Sequence, residues 1–124
     1  QVGVDLERVR PISDASDIAR AFFSAREYAM FCTLPADQKQ EAFFACWTRK
    51  EAYLKARGLG LYLPFDQFDV SLVPGEPAVL LGTTGDPRKA SRWSLHELRP
   101  DSGYAAALAA SGRGWQVKCW QFSE

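Results

Sequence analysis

The sequence is poor in the residues that most often carry thiolate or nucleophilic chemistry. It contains one histidine and three cysteines, and no two cysteines form a C-x-x-C pair. An odd number of cysteines without paired spacing argues against a disulfide framework. A catalytic cysteine would need a histidine partner, and His96 is the single histidine. We therefore expect no cysteine-based catalysis and a reducing, cytoplasmic location.

Long apolar runs and net charge are also missing. No stretch approaches the roughly 18 apolar residues that a membrane helix needs. The 15 basic side chains balance 15 acidic ones, so neither a membrane nor a nucleic acid is predicted as a partner. What is present is 124 residues, 47% of them hydrophobic, which suits a single domain over residues 1–124. Strand-like sequence begins directly after Gln1, which we interpret as a sign of further protein upstream.

The order of local patterns predicts an α+β fold. Residues 2–6 alternate like a strand, and a helix is expected to begin near Ser13 or Ser16. The S-x-x-E pattern at Ser24 predicts a second helix, and a third runs from Pro35 until Gly58 ends it. Further candidate strands are residues 68–72, 78–81, 93–98, 104–110 and 116–122. We expect an antiparallel sheet with a long helix and shorter helices packed on it.

Three carboxylates could meet in such a fold. Asp5 and Glu7 are two residues apart in the first strand and therefore project from one face. Glu51 lies on the long helix. Magnesium in proteins typically takes one or two carboxylates, several waters and phosphate oxygens of the substrate. Two strand carboxylates and one helix carboxylate are thus candidates for holding a hard divalent cation.

Positive charge surrounds the helix carboxylate. Four of residues 49–57 are basic and only Glu51 is acidic. Trp47, Glu51 and Lys55 recur every fourth residue and share one stripe of the helix. Lys50 lies beside that stripe. The lysines could complete the neutralisation of a polyphosphate beside a metal ion.

Each of these charges also has an ordinary structural interpretation. Asp5 and Glu7 could form the solvated face of a strand. Glu51 and Lys55 could be a helix pair that contributes about 0.2–0.5 kcal/mol. Glu27 could serve only to cap its helix. The spacing of the charges does not decide between these interpretations and a metal site.

Two segments resemble the signature of the 4′-phosphopantetheinyl transferases. Residues 3–7 (GVDLE) match its apolar-G-apolar-D part, and residues 47–55 (WTRKEAYLK) match its [W/F]-[S/T/C]-x-K-E-[A/S]-x-x-K part, which follows about forty residues later. Residues 22–28 (FFSAREY) and 58–61 (GLGL) resemble the pieces that connect them, and the similarity extends from residue 2 to about residue 69. The second segment is quite specific, whereas the first is short.

Within that family the chain resembles the Sfp-like branch. Those enzymes are one chain of two similar halves, and this sequence corresponds to the C-terminal half. Trp47 and Thr48 stand where the smaller, homotrimeric holo-acyl-carrier-protein synthases usually have Phe and Ala. The resemblance implies that a missing N-terminal half, or a second copy of the chain, contributes much of the coenzyme A contact.

The resemblance also implies the reaction. The 4′-phosphopantetheine arm of coenzyme A moves to a serine of an apo acyl or peptidyl carrier protein, and 3′,5′-ADP is released. It assigns Asp5, Glu7 and Glu51 to Mg²⁺, with the pyrophosphate supplying further ligands. Glu51 is in addition the candidate for accepting the serine proton, directly or through a bound water. Metal coordination makes a carboxylate a poor base, so this second role requires that the free oxygen of Glu51 face the hydroxyl.

The remaining implied roles concern the phosphates and the walls of the site. Lys55 is expected to contact the phosphates, and Lys50 is a second candidate for that contact. Trp47 lies in an apolar stretch of helix and is interpreted as core or as a wall of the site rather than as a stacking platform. Glu27 is the family's acid in the intervening helix, and its role stays open.

The segment between residues 8 and 31 is the candidate docking surface for the carrier protein, which is acidic around its modified serine. In the related enzymes this stretch helps to receive the carrier helix. The residues concerned are Arg8, Arg10, Arg20 and Arg26, beside Ala21, Phe22 and Phe23. At least one of the two phenylalanines is expected to be buried in the core instead.

Two other classes of function remain open from the sequence. A Mg²⁺-dependent nucleotide pyrophosphohydrolase also needs clustered carboxylates and lysines, but it usually has more acids in one helix than Glu41 and Glu51 provide. A non-catalytic carrier-protein-binding domain of the same fold is the second alternative. Metal-dependent binding of coenzyme A is not expected of such a domain.

Overall fold

The computed structural model describes residues 1–58, 64–83 and 90–112. In this part of the chain the architecture is α+β, with three α-helices, a short 3₁₀ turn at Phe65–Gln67 and five strands. The α-helices are α1 (Ala15–Phe22), α2 (Ala25–Thr33) and α3 (Ala36–Arg57). The strands are β1 (Val2–Arg8), β2 (Phe68–Val70), β3 (Leu80–Thr83), β4 (Trp93–Leu98) and β5 (Tyr104–Ser111).

The strands form two antiparallel sheets. The larger sheet has the order β1-β5-β4, so the first and last described strands are neighbours. Val4 faces Leu108 and Asp5 faces Ala107 across the β1–β5 pair, and Leu95 faces Ala109 across β4–β5. The smaller sheet pairs β2 with β3. The predicted antiparallel α+β arrangement is confirmed.

The long helix α3 covers one face of the larger sheet. Small side chains of β5 allow this close packing, since Ala107 and Ala109 are fully buried. On another side of the helix Tyr53 is fully buried, with ring centroids 4.9 Å from Phe68 and 5.1 Å from Trp93. The core therefore lies around α3, which packs against the larger sheet, the start of β2 and buried residues of α1 and α2 such as Ala19 and Phe31.

Local capping fixes the helix ends as the sequence predicts. The Ser24 side chain accepts a hydrogen bond from the backbone N–H of Glu27, and a Glu27 oxygen accepts one from the Ser24 N–H. This is the reciprocal capping box. Gly58 ends α3 with φ 66°, a left-handed conformation that glycine adopts at little cost. Pro35 is the residue that precedes the first turn of α3.

The strand β1 turns its polar residues inward and its apolar residues outward. Gly3 and Asp5 are buried against α3, whereas Val2, Val4 and Leu6 are 61%, 47% and 54% exposed. The predicted sharing of one face by Asp5 and Glu7 is confirmed, but that face is the inner one. The interpretation of these two acids as a solvated strand face is therefore wrong for Asp5.

Some strand boundaries differ from the prediction. The second strand of the smaller sheet is Leu80–Thr83, which is later than the predicted 78–81. The reason is its pairing, because Gly82 and Thr83 bond opposite Asp69 and Phe68, with a register shift after Asp69. The predicted strand 116–122 and residues 59–63 of the loop after Gly58 lie outside the described residues. None of the described helices is long and apolar enough to span a bilayer.

Candidate active site

The absence of a side chain at Gly3 brings β1 onto α3. A methyl group at this position would overlap the carbonyl oxygen of Ala52 and the backbone nitrogen of Ala56. Only glycine allows the strand to lie this close to the helix backbone. Two residues later on the same face, Asp5 is consequently pressed against the last turns of α3.

Asp5 and Lys55 join the two parts of the sequence signature. Lys55 Nζ donates to Asp5 Oδ1 at 2.7 Å. Asp5 is 5% exposed, and its second oxygen, Oδ2, is buried without a hydrogen-bond partner. The ammonium group of Lys55 is the more accessible member, with 52% of its side chain exposed. The hydrogen bond that Lys55 donates to Asp5 raises the pKa of Lys55 above its usual value, so the lysine is charged at neutral pH.

Glu7 and Glu51 belong to the same electrostatic cluster. Partial burial raises the pKa of Glu51 above the ordinary 4.5, and the charge of Asp5 raises it further. Partial burial is also the first reason for the raised pKa of Glu7, followed by Asp5, while Arg10 opposes the shift. Carboxylates that lie close enough for Asp5 to raise the pKa values of both Glu7 and Glu51 attract a cation to the space between them.

The donor set suits magnesium in part. Magnesium takes oxygen ligands and keeps several waters, so it rarely needs a complete set of protein ligands. The buried, unpartnered Oδ2 of Asp5 is an oxygen that a hard cation would satisfy. Within residues 1–58, 64–83 and 90–112, however, no three His, Cys, Asp or Glu side chains form a group that could hold a metal by themselves. Waters and phosphate oxygens would have to complete the coordination.

The basic run of the long helix does not converge on this cluster. Of the four basic residues between positions 49 and 57, Lys55 is the one that contacts an acid of the cluster. Arg49 donates to the carbonyl oxygen of Ser71 at 2.7 Å, and Arg57 donates to Tyr53 Oη at 3.0 Å. One turn of helix is 3.6 residues, so neighbouring basic residues point to different sides.

Lys50 lies away from the acidic cluster, in contrast to its predicted contact with phosphate. The residue is fully buried, and its Nζ lies 2.7 and 2.9 Å from the two oxygens of Glu27. It also donates to the carbonyl oxygen of Phe68 and lies 4.0 Å from the centroid of the Phe68 ring. A phosphate could reach Lys50 only if this buried ion pair opened. The geometry thus makes Lys50 a structural residue.

Glu27 has a larger part than a helix cap. Its Oε1 accepts from the Ser24 N–H at 2.9 Å, and its Oε2 accepts from the Val70 N–H at 2.7 Å. Together with the two contacts from Lys50 the carboxylate is fully satisfied. Glu27 therefore links the start of α2 and strand β2 to α3. Its contact on α3 is Lys50, the residue immediately before Glu51.

Trp47 is part of an aromatic cluster. Its ring stacks on Phe43 at 6.1 Å between centroids and approaches Phe65 at 5.1 Å. It also meets Phe22 edge to face at 6.1 Å. Trp47 is half-buried, and it lies one helical turn before Glu51. The geometry agrees with a wall beside the site and links it to the surface of α1.

The candidate docking surface is exposed as expected for its charged residues. Arg8, Arg10, Arg20 and Arg26 are all exposed. The two phenylalanines separate, because Phe23 is 4% exposed and Phe22 is 50% exposed. The prediction that at least one of them belongs to the core is confirmed. Phe22 remains available at the surface.

The cysteines of the described residues are free. Cys32 is exposed and Cys46 is buried, while Cys119 lies outside the described residues. Burial raises the pKa of Cys46 well above its ordinary value, so its reactive thiolate form is suppressed at neutral pH.

A cleft of about 520 Å³ opens beside the N-terminal part of α3. It is bounded by α3, the end of β4 and the start of β5, with Arg49 and Glu97 among its walls. None of the predicted site residues lines it. Ala105, which does, pairs with Glu7 across the sheet, so the cleft adjoins the acidic cluster without containing it.

Sequence reasoning missed the role of Gly3 and the Glu27–Lys50 pair. A lone glycine inside a strand pattern indicates that another backbone approaches closely, so the position of Gly3 could have predicted the contact with α3. The partner of Lys50 could not be read from the sequence, because 23 positions separate it from Glu27. Only the fold decides which basic residue turns inward.

Comparison with known proteins identifies the family. The profile of the 4′-phosphopantetheinyl transferase superfamily matches residues 1–109. The chain belongs to this superfamily.

Two relatives place the chain on the Sfp-like branch of the superfamily. It is 46% identical over 122 residues to the 4′-phosphopantetheinyl transferase HetI of Nostoc sp., covering 98% of this chain and 48% of HetI. It is 32% identical over 111 residues to the 4′-phosphopantetheinyl transferase Sfp of Bacillus subtilis, covering 89% of this chain and 46% of Sfp. The chain thus spans about half the length of these relatives.

Solved structures of the superfamily share the fold. The holo-[acyl-carrier-protein] synthase of Thermotoga maritima matches with a TM-score of 0.68 at 23% identity, covering 91% of this chain and 63% of that one. The synthase of Helicobacter pylori, solved in complex with coenzyme A, matches with a TM-score of 0.66 at 18% identity. That match covers 90% of this chain and all of the synthase.

Proposed function

We propose that this chain supplies the carboxylate-bearing half of a 4′-phosphopantetheinyl transferase. It takes part in moving the 4′-phosphopantetheine arm of coenzyme A to a serine of an apo acyl or peptidyl carrier protein, with release of 3′,5′-ADP. The observation that carries the proposal is the 2.7 Å contact between Asp5 and Lys55, which unites the two halves of the family signature at one surface.

Three acids of this surface are the proposed magnesium ligands. Asp5 offers its buried and unpartnered Oδ2, while Glu7 and Glu51 are partly exposed beside it. Partial burial and the charge of Asp5 raise the pKa values of Glu7 and Glu51, which supports a shared cation site. Bound Mg²⁺ would neutralise charge on the pyrophosphate and supply a Lewis acid. Waters and phosphate oxygens complete the coordination.

Glu51 and Lys55 have the proposed catalytic roles. A glutamate whose pKa is raised is a better proton acceptor near neutral pH, which supports Glu51 as the base for the serine hydroxyl. Lys55 is half-exposed and fully charged, which supports a contact with the phosphates as negative charge grows on the leaving group. Trp47 forms a wall of the site, and Lys50 acts through its position in the core.

The outer face of the larger sheet is the proposed contact with the missing N-terminal half or with a second copy of the chain. Val2, Val4 and Leu6 expose an apolar row on β1, and Tyr104 on β5 is 46% exposed. Contiguous apolar surface of this kind marks interaction sites. The partner surface would complete the binding of coenzyme A, since this chain covers about half of its relatives.

The carrier protein is proposed to dock on the exposed arginines near α1 and α2. Arg20 and Arg26 are exposed and suit an acidic partner, and the half-exposed ring of Phe22 offers an apolar contact. Free Cys32 and Cys46 are consistent with the reducing cytoplasm as the proposed location.

The deciding experiment is the mass of an apo carrier protein after incubation with the chain, coenzyme A and Mg²⁺, with and without the N-terminal half of a relative. We expect a mass increase of one phosphopantetheine group that chelation of Mg²⁺ abolishes. The Asp5→Ala variant should show no transfer while its circular dichroism spectrum stays that of the folded protein. Near-normal loading by this variant would refute the metal assignment.

A further inference from the structure

Asp5 and Lys55 form an ion pair in which Asp5 is buried and Lys55 is half exposed. Asp5 is 5% exposed and fixed on β1, which packs on the backbone of α3. Lys55 reaches it from the last turn of α3, with half of its side chain exposed. Lysine has a long, flexible stem with rotatable donors. Lys55 can therefore leave Asp5 without any movement of the backbone.

The ammonium group of Lys55 contacts Oδ1 of the same carboxylate whose other oxygen, Oδ2, is the proposed metal ligand. Nζ lies 2.7 Å from Oδ1, so a divalent cation bound to the same carboxylate would face a like charge at close range. Two other basic residues of α3 have other partners. Arg57 donates to Tyr53 and Lys50 to Glu27. The repulsion would thus come from Lys55 in particular.

We propose that Lys55 competes internally with the metal ion for Asp5, and that phosphate oxygens relieve this competition by drawing the ammonium group away. The inference rests on the proposed function and adds to it a coupling between two ligands. A single side chain then makes metal binding weak without phosphate and stronger with it. By thermodynamic linkage, the metal strengthens phosphate binding by the same factor.

The coupling would have a clear use at this site. A metal ion that binds weakly by itself becomes firmly held only when the polyphosphate is present. The site then assembles its full positive charge at the moment when the negative charge of the substrate arrives. The metal ion and the phosphate both favour the arrangement in which Lys55 has left Asp5. Each shifts the equilibrium only by the difference between its affinities for the two arrangements.

The test measures binding of Mn²⁺, a spectroscopic substitute for Mg²⁺, by the electron paramagnetic resonance signal of the free ion. The variants are Lys55→Met, Lys55→Gln and Asp5→Asn. Arg57→Met is the matched control, because it removes the same charge two residues away without touching Asp5. Circular dichroism verifies folding, which is expected for Lys55 variants because the side chain is half exposed.

Without phosphate, both Lys55 variants should bind Mn²⁺ about five- to tenfold more tightly than the unaltered chain, as expected for loss of one nearby like charge. Arg57→Met should change the affinity by less than about twofold. Added inorganic phosphate should tighten Mn²⁺ binding to the unaltered chain more than to the Lys55 variants.

Unchanged or weaker Mn²⁺ binding by the Lys55 variants, with binding still lost in Asp5→Asn, would overturn the competition while leaving the proposed metal site intact. Equal binding by Asp5→Asn and the unaltered chain would instead refute the metal assignment of the proposed function, and this inference with it.

Discussion

Glu27 and Glu51 are both helix glutamates, but their surroundings give their charges opposite effects on stability. Glu27 accepts hydrogen bonds from a lysine and two backbone N–H groups in the core. Glu51 is partly exposed beside Asp5, and its raised pKa means that the folded protein disfavours its charged form. A buried carboxylate whose hydrogen bonds are all satisfied stabilises the fold. A carboxylate whose charged form the fold disfavours is instead a candidate for function.

Replacement of Glu51 by Gln should abolish phosphopantetheine transfer without lowering stability. Because the folded state raises the pKa of Glu51, its ionised form opposes folding at neutral pH, and the neutral amide removes that cost. The melting temperature at pH 7 should equal or exceed that of the unaltered chain. The difference should shrink as the pH falls through the raised pKa and vanish below 4.5, where both states are protonated. A clearly lower melting temperature at pH 7 would contradict this account.

Replacement of Glu27 by Gln should mainly cost stability. It leaves Lys50 buried with no neutralising charge, and breaking a buried ion pair in this way costs about 3–5 kcal/mol. Urea unfolding followed by tryptophan fluorescence measures the loss. Glu51→Gln serves as the matched control, since it makes the same chemical change on a partly exposed residue. Equal stability of the two variants would argue against a structural role for the Glu27–Lys50 pair.

At the level of secondary structure, the contact between β1 and α3 creates the site. The acids on β1 and the side chains of α3 are far apart in sequence, and they meet because the strand backbone lies directly on the helix backbone at Gly3. The inward direction of Asp5 then follows from strand alternation, since residues 3 and 5 share a face. By the same alternation, the apolar residues Val2, Val4 and Leu6 face outward.

Replacement of Gly3 by Ala should destabilise the fold and impair metal binding together. The added methyl group overlaps the Ala52 carbonyl and the Ala56 nitrogen, so strand and helix must separate. Forcing extra atoms into a packed contact typically costs about 1–3 kcal/mol. Gly82→Ala is the control, because its nearest neighbour would be Asp69 Oδ2 at 3.9 Å, an ordinary contact. Urea unfolding and Mn²⁺ binding of both variants test the prediction, which fails if the two behave alike.

At the level of the whole molecule, the larger sheet has one covered and one uncovered face. Helix α3 covers the inner face, while three apolar residues of β1 stay about half or more exposed on the outer one. Association through such a face removes apolar surface from water, at roughly 25 cal/mol per Å². The same face is available to a further part of a longer protein or to a second copy.

Replacement of Val4 by Glu should prevent self-association of the chain without unfolding it. Val4 is 47% exposed and is the central member of the apolar row on β1, so a charge there meets water in the monomer but would be buried in an assembly. Sedimentation velocity over a range of concentrations should show association for the unaltered chain and a monomer for the variant. Leu81→Glu, on the smaller sheet and 41% exposed, should associate like the unaltered chain.

Interactions between residues that are close in sequence made much of the fold predictable. The capping box at Ser24 and the glycine stop at Gly58 fix the ends of their helices through hydrogen bonds and backbone freedom that nearby residues provide. Strand β4 has the predicted boundaries, because its alternation and flanking turns are also local. The start of β3 was misplaced, since its limits depend on pairing with β2 rather than on its own residues.

The sequence by itself determined the element order and the sharing of one strand face by Asp5 and Glu7, because these follow from short-range periodicity. Its match to the family profile over residues 1–109 determined membership of the transferase superfamily. The tertiary structure alone determined which lysine forms an ion pair with which acid. Lys50 and Lys55 are five positions apart on one helix, yet Lys50 turns to Glu27 in the core and Lys55 to Asp5 at the surface. Helix rotation separates their directions, and only the packing of α3 against β1, α2 and β2 determines what each one meets.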